Sequence, residues 1–211
     1  IWNIALDGTG STQLTTRKGP FFDSDPTWSP DGTKIAFIRH QLMKGKANDP
    51  MGGEAIYIMN SFGGEPELLD SIPADKSIFS PVWSPDGNKI ACFIREEGLL
   101  NTCHIYIYDL ENRMAKKVGA NLTGISAYHS ELAWSPDSKK IAFNFNEDPD
   151  HGIKIMALSD GGVEEIETGL RDLDGIVHFD WSPDGERFVF TGWKNGKGEF
   201  WFLGDFLPLL K

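Results

Sequence analysis

The sequence predicts an all-β protein, a β-propeller of about four four-stranded antiparallel blades, and three observations support that fold class. First, Trp-Ser-Pro-Asp-Gly at residues 28–32 recurs at 83–87 and 181–185, and as Trp-Ser-Pro-Asp-Ser at 134–138, with Trp spacings of 55, 51 and 47 residues. Second, the same series of short apolar runs follows each copy. Third, no segment keeps a helical period over about eleven residues. Such repeats are typical of arrays of small stacked units.

Each copy predicts four strands, which we label a to d. In the first copy strand a ends at Trp28, strand b covers 35–38, strand c covers 56–59 and strand d covers 67–69. The runs are nearly all apolar and rich in β-branched and aromatic side chains, which predicts sheets covered on both faces, as in stacked blades. We expect one array over residues 1–211, with blade cores around 26–69, 80–118, 131–167 and 178–203 and an N-terminal part-blade at 1–15.

The repeated motif reads as a turn followed by a new strand. Proline pre-sets φ near −65°, Asp accepts hydrogen bonds from the following amides, and Gly supplies a positive φ. Where Ser138 replaces that Gly, a left-handed backbone would cost about 1 kcal/mol. The Trp before each turn is expected to wedge between blades. The residues predicted to have this structural role are Trp28, Asp31, Gly32, Trp83, Asp86, Gly87, Trp134, Asp137, Trp181, Asp184 and Gly185.

Composition excludes some classes of protein. The chain carries 31 acidic and 20 basic side chains, a formal charge of −11, which argues against nucleic-acid binding. No apolar run approaches the roughly 18 residues of a membrane span. The start at Ile1 instead of Met suggests a processed, trimmed or truncated product. Cys92 and Cys103 are too few for a disulfide framework, and are expected to be either two buried thiols or one cross-strand disulfide.

The repeat resembles a known family. Copies of Trp-Ser-Pro-Asp-Gly-x-(Lys/Arg)-(Ile/Phe)-(Ala/Val)-Phe, followed by a strand such as Ile-Tyr-Ile at 56–58 and a Gly-Gly turn at 63–64, are similar to the TolB-type, WD40-like β-propeller repeat over essentially the whole chain. The family includes TolB itself, propeller domains of prolyl-oligopeptidase-type peptidases, and oligogalacturonate lyases. The resemblance implies a propeller and a periplasmic or extracellular location, but it does not choose among these functions.

The number of blades leaves two architectures open. Closed members of the family usually have six or more blades, which favours the C-terminal part of a larger propeller. An open blade face of such an array would favour self-association. In the alternative, the chain closes as a four-bladed ring and the strand near residues 12–15 completes the last blade.

The candidate binding site is predicted from blade geometry. The a–b and c–d turns share one end of the array, here called the turn side, and the more variable d–a and b–c loops share the other, the loop side. Variable loops on a rigid scaffold are where binding usually occurs. The residues three before each Trp are expected to ring the channel mouth on the loop side, with four further side chains close by. These eight residues are Asp25, Ser80, Glu131 and His178, then Asp23, His129, Asp180 and Trp193. His40, His104 and His151, which flank the c-strand hairpins, are each expected at the surface.

Carboxylates with histidine predict a polar channel that could hold a divalent cation or a basic peptide end; no other cofactor is expected. Nucleophile-elbow, phosphate-loop and His-Glu-x-x-His motifs are missing from the sequence. The function expected is therefore a non-enzymatic scaffold that binds a protein or peptide. The alternatives are an accessory propeller domain of a prolyl-oligopeptidase-type peptidase and an oligogalacturonate-lyase-like enzyme.

Overall fold

The computed structural model describes residues 1–16, 19–42, 51–96, 103–119, 131–147, 150–166, 174–194 and 197–204. Within these residues every regular element is a β-strand, and no helical segment has the length and apolarity that a membrane crossing requires. The strands are β1 (Trp2–Asn3), β2 (Thr12–Gln13), β3 (Phe21–Trp28), β4 (Lys34–Leu42), β5 (Met51–Asn60), β6 (Glu67–Ile72), β7 (Lys76–Trp83), β8 (Lys89–Glu96), β9 (Cys103–Asp109), β10 (Met114–Val118), β11 (Leu132–Trp134), β12 (Lys140–Glu147), β13 (Asp150–Ala157), β14 (Val163–Ile166), β15 (Gly175–Trp181), β16 (Arg187–Lys194) and β17 (Lys197–Gly204).

The strands form successive antiparallel sheets, and this confirms the predicted fold class. Strands β3–β6, β7–β10 and β11–β14 make three four-stranded blades, and β15–β17 make a fourth sheet of three described strands. The inner strands β3, β7, β11 and β15 contact one another in sequence order. Strand β2 pairs with β1, and in the described part of the chain it does not pair with β17. The four-bladed ring completed by residues 12–15 is therefore wrong.

The hydrophobic core lies between neighbouring sheets. Alternation along β4 turns Ala36 and Ile38 towards the second blade, whereas Ile35 and Phe37 face the N-terminal strands. The first junction also buries Ile56, Trp83 and Ile90; the second buries Phe93, Ile105, Trp134 and Phe143; the third buries Ile153, Trp181, Phe188 and Phe190. Because each middle blade is covered on both faces by a neighbouring blade, its strands are nearly unbroken apolar runs in the sequence.

Three of the four motif tryptophans lie inside a junction. Trp83, Trp134 and Trp181 pack on the preceding blade and are 9%, 7% and 7% exposed. The indole nitrogen of Trp134 also donates to the carbonyl of Val82, 3.2 Å away in the preceding blade. Trp28 is 54% exposed, in contrast to the predicted wedge. Leu14, one of the described residues that precede Trp28 in the sequence, packs on the outer part of the same blade face and does not cover the indole.

The Ser-Pro-Asp turns repeat one hydrogen-bond pattern. In the first turn the Ser29 hydroxyl donates to the Asp31 carboxylate at 2.6 Å and accepts the N–H of Lys34 at 2.9 Å. Asp31 also accepts the N–H of Thr33 at 3.0 Å. These hydrogen bonds lower the pKa of Asp31 to about 2, and the bond from Ser29 has the largest effect. The same bonds recur in the other three turns, at Ser84 and Asp86, Ser135 and Asp137, and Ser182 and Asp184.

Ser138 shows how the third turn tolerates a residue other than glycine. Its φ is 59°, against 69°, 73° and 78° for Gly32, Gly87 and Gly185. The hydroxyl of Ser138 is buried and accepts the backbone N–H of Asp86 in the preceding blade at 3.1 Å. A hydrogen bond between blades thus offsets the cost, about 1 kcal/mol, of the left-handed backbone.

Cys92 and Cys103 are two free, buried thiols, as in the first of the two expectations. Cys103 on β9 pairs with Arg95 on β8, three positions from Cys92, so the two side chains leave opposite faces of the sheet. Cys92 packs in the first junction and Cys103 in the second. A disulfide between them is excluded by this geometry, and burial raises the pKa of Cys103 to about 11.

Candidate functional site

Three of the predicted mouth residues have an unusual backbone. Asp25, Ser80 and His178 have φ values of 50°, 52° and 48°, and each lies at a register shift in its inner strand. A β-bulge re-aims the side chain it carries. A left-handed residue other than glycine costs of order 1–3 kcal/mol and persists only where its surroundings fix it, commonly at functional sites. The same distortion therefore recurs at equivalent positions in the middle of three inner strands.

The fourth equivalent residue, Glu131, reaches across to its neighbour. One carboxylate oxygen of Glu131 lies 2.6 Å from Nδ1 of His178, and the other accepts the backbone N–H of Phe179 at 3.1 Å. The His178 side chain is exposed, and that of Glu131 is about one-third exposed. The structure therefore brings these two predicted residues together, as a polar link between the third and fourth blades.

The first blade carries a second, more buried network. The Ser24 hydroxyl is 2.7 Å from Nε2 of His40, whose Nδ1 is 3.0 Å from the carboxylate of Glu54. The other oxygen of Glu54 accepts the N–H of Ile78 in the second blade at 2.6 Å. Ser24 also donates to the exposed carboxylate of Asp25 at 3.0 Å. Asp25 is thus joined, through two side chains, to a buried carboxylate at the first junction.

The expectation that His40 and His104 lie at the surface is wrong. Both are buried, because β4 and β9 extend past their apolar runs and carry the imidazoles into the sheets. His40 stacks on Phe22 with ring centroids 4.3 Å apart. Desolvation lowers the pKa of His104. The sequence signal for the burial of His40 is its position two residues after Ile38, which continues the period of β4.

Asp23 is occupied by an intramolecular partner. It makes a bidentate ion pair with Arg39, with N–O distances of 2.7 and 3.1 Å, and its side chain is nearly buried. The guanidinium lies over Phe21 at 4.1 Å and Tyr57 at 4.8 Å from the ring centroids. The hydrogen bonds that Arg39 donates to the Asp23 carboxylate raise the pKa of Arg39. This group holds the first blade together and does not offer a free carboxylate to a ligand.

The other predicted residues are dispersed. Asp180 lines a cleft nearer the turn side, among the Trp and Pro residues of the repeats, and accepts the N–H of Trp181 at 2.8 Å. Trp193 is exposed on β16, and its carbonyl accepts the N–H of Asp174 at 2.7 Å. His129 lies outside the described residues. Within the described ranges, His, Cys, Asp and Glu do not form any group of three or more suited to a metal ion.

Asn144 is a junction residue that the sequence did not reveal. Its side-chain oxygen accepts the N–H of Glu131 at 2.8 Å, and its nitrogen donates to the carbonyl of Ile176 at 2.6 Å. Asn144 is fully buried in β12. It ties the third blade to the fourth, as Glu54 ties the first to the second. Polar side chains on the loop side therefore join blades and also support the mouth residues.

Consecutive four-stranded blades, joined by indole rings and arranged along their inner strands, define a β-propeller repeat protein. Residues 54–203 match the family model described as the TolB beta propeller domain, and the chain belongs to this family. The predicted family resemblance is thereby confirmed.

Individual relatives differ in function. The chain is 31% identical over 121 residues to an uncharacterized peptidase, YuxL, of Bacillus subtilis (strain 168), a match that covers 56% of this chain and 16% of that protein. Among solved structures, TolB from Acinetobacter baumannii matches with a TM-score of 0.73 at 21% identity, over 98% of this chain and 46% of that one. An oligogalacturonate lyase in complex with manganese matches with a TM-score of 0.68 at 16% identity, over 99% and 54%. These structural matches show the fold alone. The chain spans between 16% and 59% of the length of four curated relatives that it matches.

Proposed function

We propose that this chain is a non-enzymatic scaffold that binds a protein or peptide at the loop-side mouth of its inner strands. The observation that carries the proposal is the repeated left-handed backbone at Asp25, Ser80 and His178, next to Glu131. In three blades the left-handed backbone at this shared position costs of order 1–3 kcal/mol each. Core packing alone does not require this conformation. The strained backbone directs polar side chains into the mouth, where they can contact a ligand, and binding therefore accounts for this cost.

The charge of the mouth defines the partner expected there. Asp25 is exposed and Glu131 is partly exposed, so both carboxylates can meet a ligand. The chain as a whole has a net charge of −11, which favours the approach of cationic partners. We expect a segment that carries Lys, Arg or a free N-terminus, and a periplasmic or extracellular setting like that implied by the family resemblance.

The Ser24–His40–Glu54 network is the main reason to test for enzymatic activity. A hydroxyl, an imidazole and a carboxylate in this order are the parts of a nucleophilic triad. In this chain the Ser24 hydroxyl also donates to Asp25, and Glu54 is held by the N–H of Ile78. A hydroxyl that donates to a carboxylate is not donating to the base, so we assign the network to positioning Asp25.

Binding is tested with fluorescent peptides rich in Lys and Arg, and with matched peptides rich in Asp and Glu. The variant Asp25→Asn/Glu131→Gln should weaken binding of the basic set about tenfold or more. The control Glu111→Gln/Glu186→Gln makes the same charge change at exposed turn-side positions and should bind like the parent chain. Equal losses in both variants, or no binding by either peptide set, would overturn the proposal.

The non-enzymatic part is tested separately. The parent chain should neither react with a fluorophosphonate probe nor cleave peptide substrates, and it should not depolymerise polygalacturonate with or without manganese. Labelling that disappears in Ser24→Ala would instead identify Ser24 as a nucleophile. Cleavage of either substrate class would favour the peptidase-type or lyase-type alternative.

A further inference from the structure

One arginine of the first blade shows how this sheet binds a guanidinium group. Arg39 donates two hydrogen bonds to the Asp23 carboxylate, at 2.7 and 3.1 Å, and its guanidinium carbon lies 4.1 Å from the centroid of the Phe21 ring. Phe21 and Asp23 are two residues apart on β3, so their side chains leave the same face of the strand. An ion pair therefore holds the edge of the guanidinium and an aromatic ring covers its face, a combination that suits arginine and not lysine.

The opposite face of β3 carries the same two kinds of group. Phe22 stacks on His40, with ring centroids 4.3 Å apart, yet it is 43% exposed. His40 covers one side of the phenyl ring, and the exposed fraction leaves the other side accessible. Asp25 is exposed, and its carboxylate accepts the Ser24 hydroxyl at 3.0 Å. Since that hydroxyl also lies 2.7 Å from Nε2 of His40, the ring and the carboxylate are joined through one imidazole and one hydroxyl.

This second pair lies at a junction between two described blades. The imidazole beneath Phe22 contacts Glu54, which accepts the N–H of Ile78 on β7 of the second blade. The Phe22 face of β3 is therefore the face directed at the second blade, and its surroundings do not depend on either end of the array. Asp25 supplies an exposed negative charge beside the accessible ring. A ligand here meets a carboxylate and an aromatic face together.

We propose that Phe22 and Asp25 bind an arginine side chain of the partner, with the guanidinium stacked on the accessible side of the phenyl ring and paired with the carboxylate. The left-handed backbone and register shift at Asp25 re-aim its side chain, and the Ser24 hydroxyl fixes it. Arginine is preferred to lysine because a planar guanidinium can stack and make two parallel hydrogen bonds, whereas an ammonium is a compact, strongly hydrated point charge. This inference rests on the proposed function, because it names the side chain that the same mouth selects.

Two fluorescent peptides that differ only in carrying arginine or lysine at every basic position measure this preference. The parent chain should bind the arginine peptide about fivefold or more tighter, as expected for stacking and a bidentate ion pair. Phe22→Leu should bring the two affinities together, because leucine keeps an apolar side chain but offers no ring. Phe22→Tyr keeps the ring and should keep the preference. Phe62→Leu, the same change at an exposed turn-side phenylalanine, is the matched control and should also keep it.

The carboxylate is tested by Asp25→Asn, which should weaken binding of the arginine peptide about tenfold or more. Phe22 and Asp25 are exposed, so their variants should keep the parent's far-ultraviolet circular dichroism and urea midpoint close to the parent's value.

The outcomes separate the arginine site from the peptide-binding function on which it rests. If the parent chain binds neither peptide, both proposals are wrong. If it binds the two peptides equally, or if Phe22→Leu keeps the parent's preference, only the arginine site is wrong. Loss of the preference in Phe22→Tyr would contradict stacking on the ring. Its loss in Phe62→Leu would show that the effect does not arise at Phe22, and this too would overturn the arginine site.

Discussion

The turn side and the loop side of this array are built in different ways. On the turn side, serine and aspartate make the same hydrogen bonds in all four repeats. On the loop side, the first junction is tied by Glu54, whereas the third is tied by Asn144 and Glu131. The difference shows that the repeated motif specifies each blade, whereas the residues that join blades near the mouth are particular to each junction. The loop side can therefore change its binding chemistry without loss of the blade.

The largest effect is expected at a loop-side tie. Glu54→Ala removes a buried carboxylate and leaves the His40 imidazole and the Ile78 N–H without their acceptor. Breaking a buried pair in this way typically lowers the free energy of unfolding by about 3–5 kcal/mol. Equilibrium unfolding in urea measures it. Glu164→Ala, on an exposed position of β14, should stay within about 0.5 kcal/mol of the parent chain. A Glu54→Ala loss as small as that of the control would contradict the assigned role.

A smaller and more uniform effect is expected on the turn side. Ser84→Ala leaves the N–H of Lys89 and the carboxylate of Asp86 without the serine hydroxyl, at a cost of about 1–3 kcal/mol. Ser29→Ala and Ser135→Ala remove equivalent bonds from buried serines and should cost similar amounts. The same urea titrations compare the three. Widely different losses would show that the turns are less alike than their hydrogen bonds indicate.

Ser138 permits a finer test, because two substitutions separate strain from hydrogen bonding. Ser138→Ala keeps the left-handed backbone but loses the bond from the Asp86 N–H, so it should destabilise the chain by about 1 kcal/mol. Ser138→Gly loses that bond but also relieves about 1 kcal/mol of strain, so its stability should lie close to the parent's. If thermal denaturation ranks the glycine variant below the alanine variant, the strain assigned to Ser138 is absent.

The smallest expected effect is a change of stability with acid. Hydrogen bonds from Ser29 and the Thr33 N–H hold the pKa of Asp31 at about 2, and those from Ser182 and the Glu186 N–H do the same for Asp184, against an ordinary value of 3.8. Since the folded state favours the charged carboxylate, this contribution is complete above pH 3.8 and is lost as the pH falls towards 2. Melting temperatures between these values should fall less steeply for Ser29→Ala/Ser182→Ala than for the parent. An unchanged slope would argue against this linkage.

The turn side could be predicted from the sequence because its chemistry is local. Ser29 and Asp31 form their hydrogen bonds within one turn, so the residue types alone predict those bonds. The loop side could not, because Glu54 contacts Ile78 and Glu131 contacts His178 across long stretches of chain. The apolar run predicts strand b of the first blade only as far as residue 38, whereas β4 continues through polar residues to Leu42. Burial of a motif tryptophan likewise depends on a neighbouring blade, and for that reason the wedge expected at Trp28 was wrong.

The order of strand pairing has a consequence for how such chains change in length. In the part of the chain that the structure describes, each blade strand pairs only with strands next to it in sequence. A duplicated stretch from one Trp to the next would bring its own hairpins and one indole. Tandem duplication or deletion therefore leaves every other backbone ladder in register, so that the number of repeats can drift over evolutionary time while each surviving sheet remains intact.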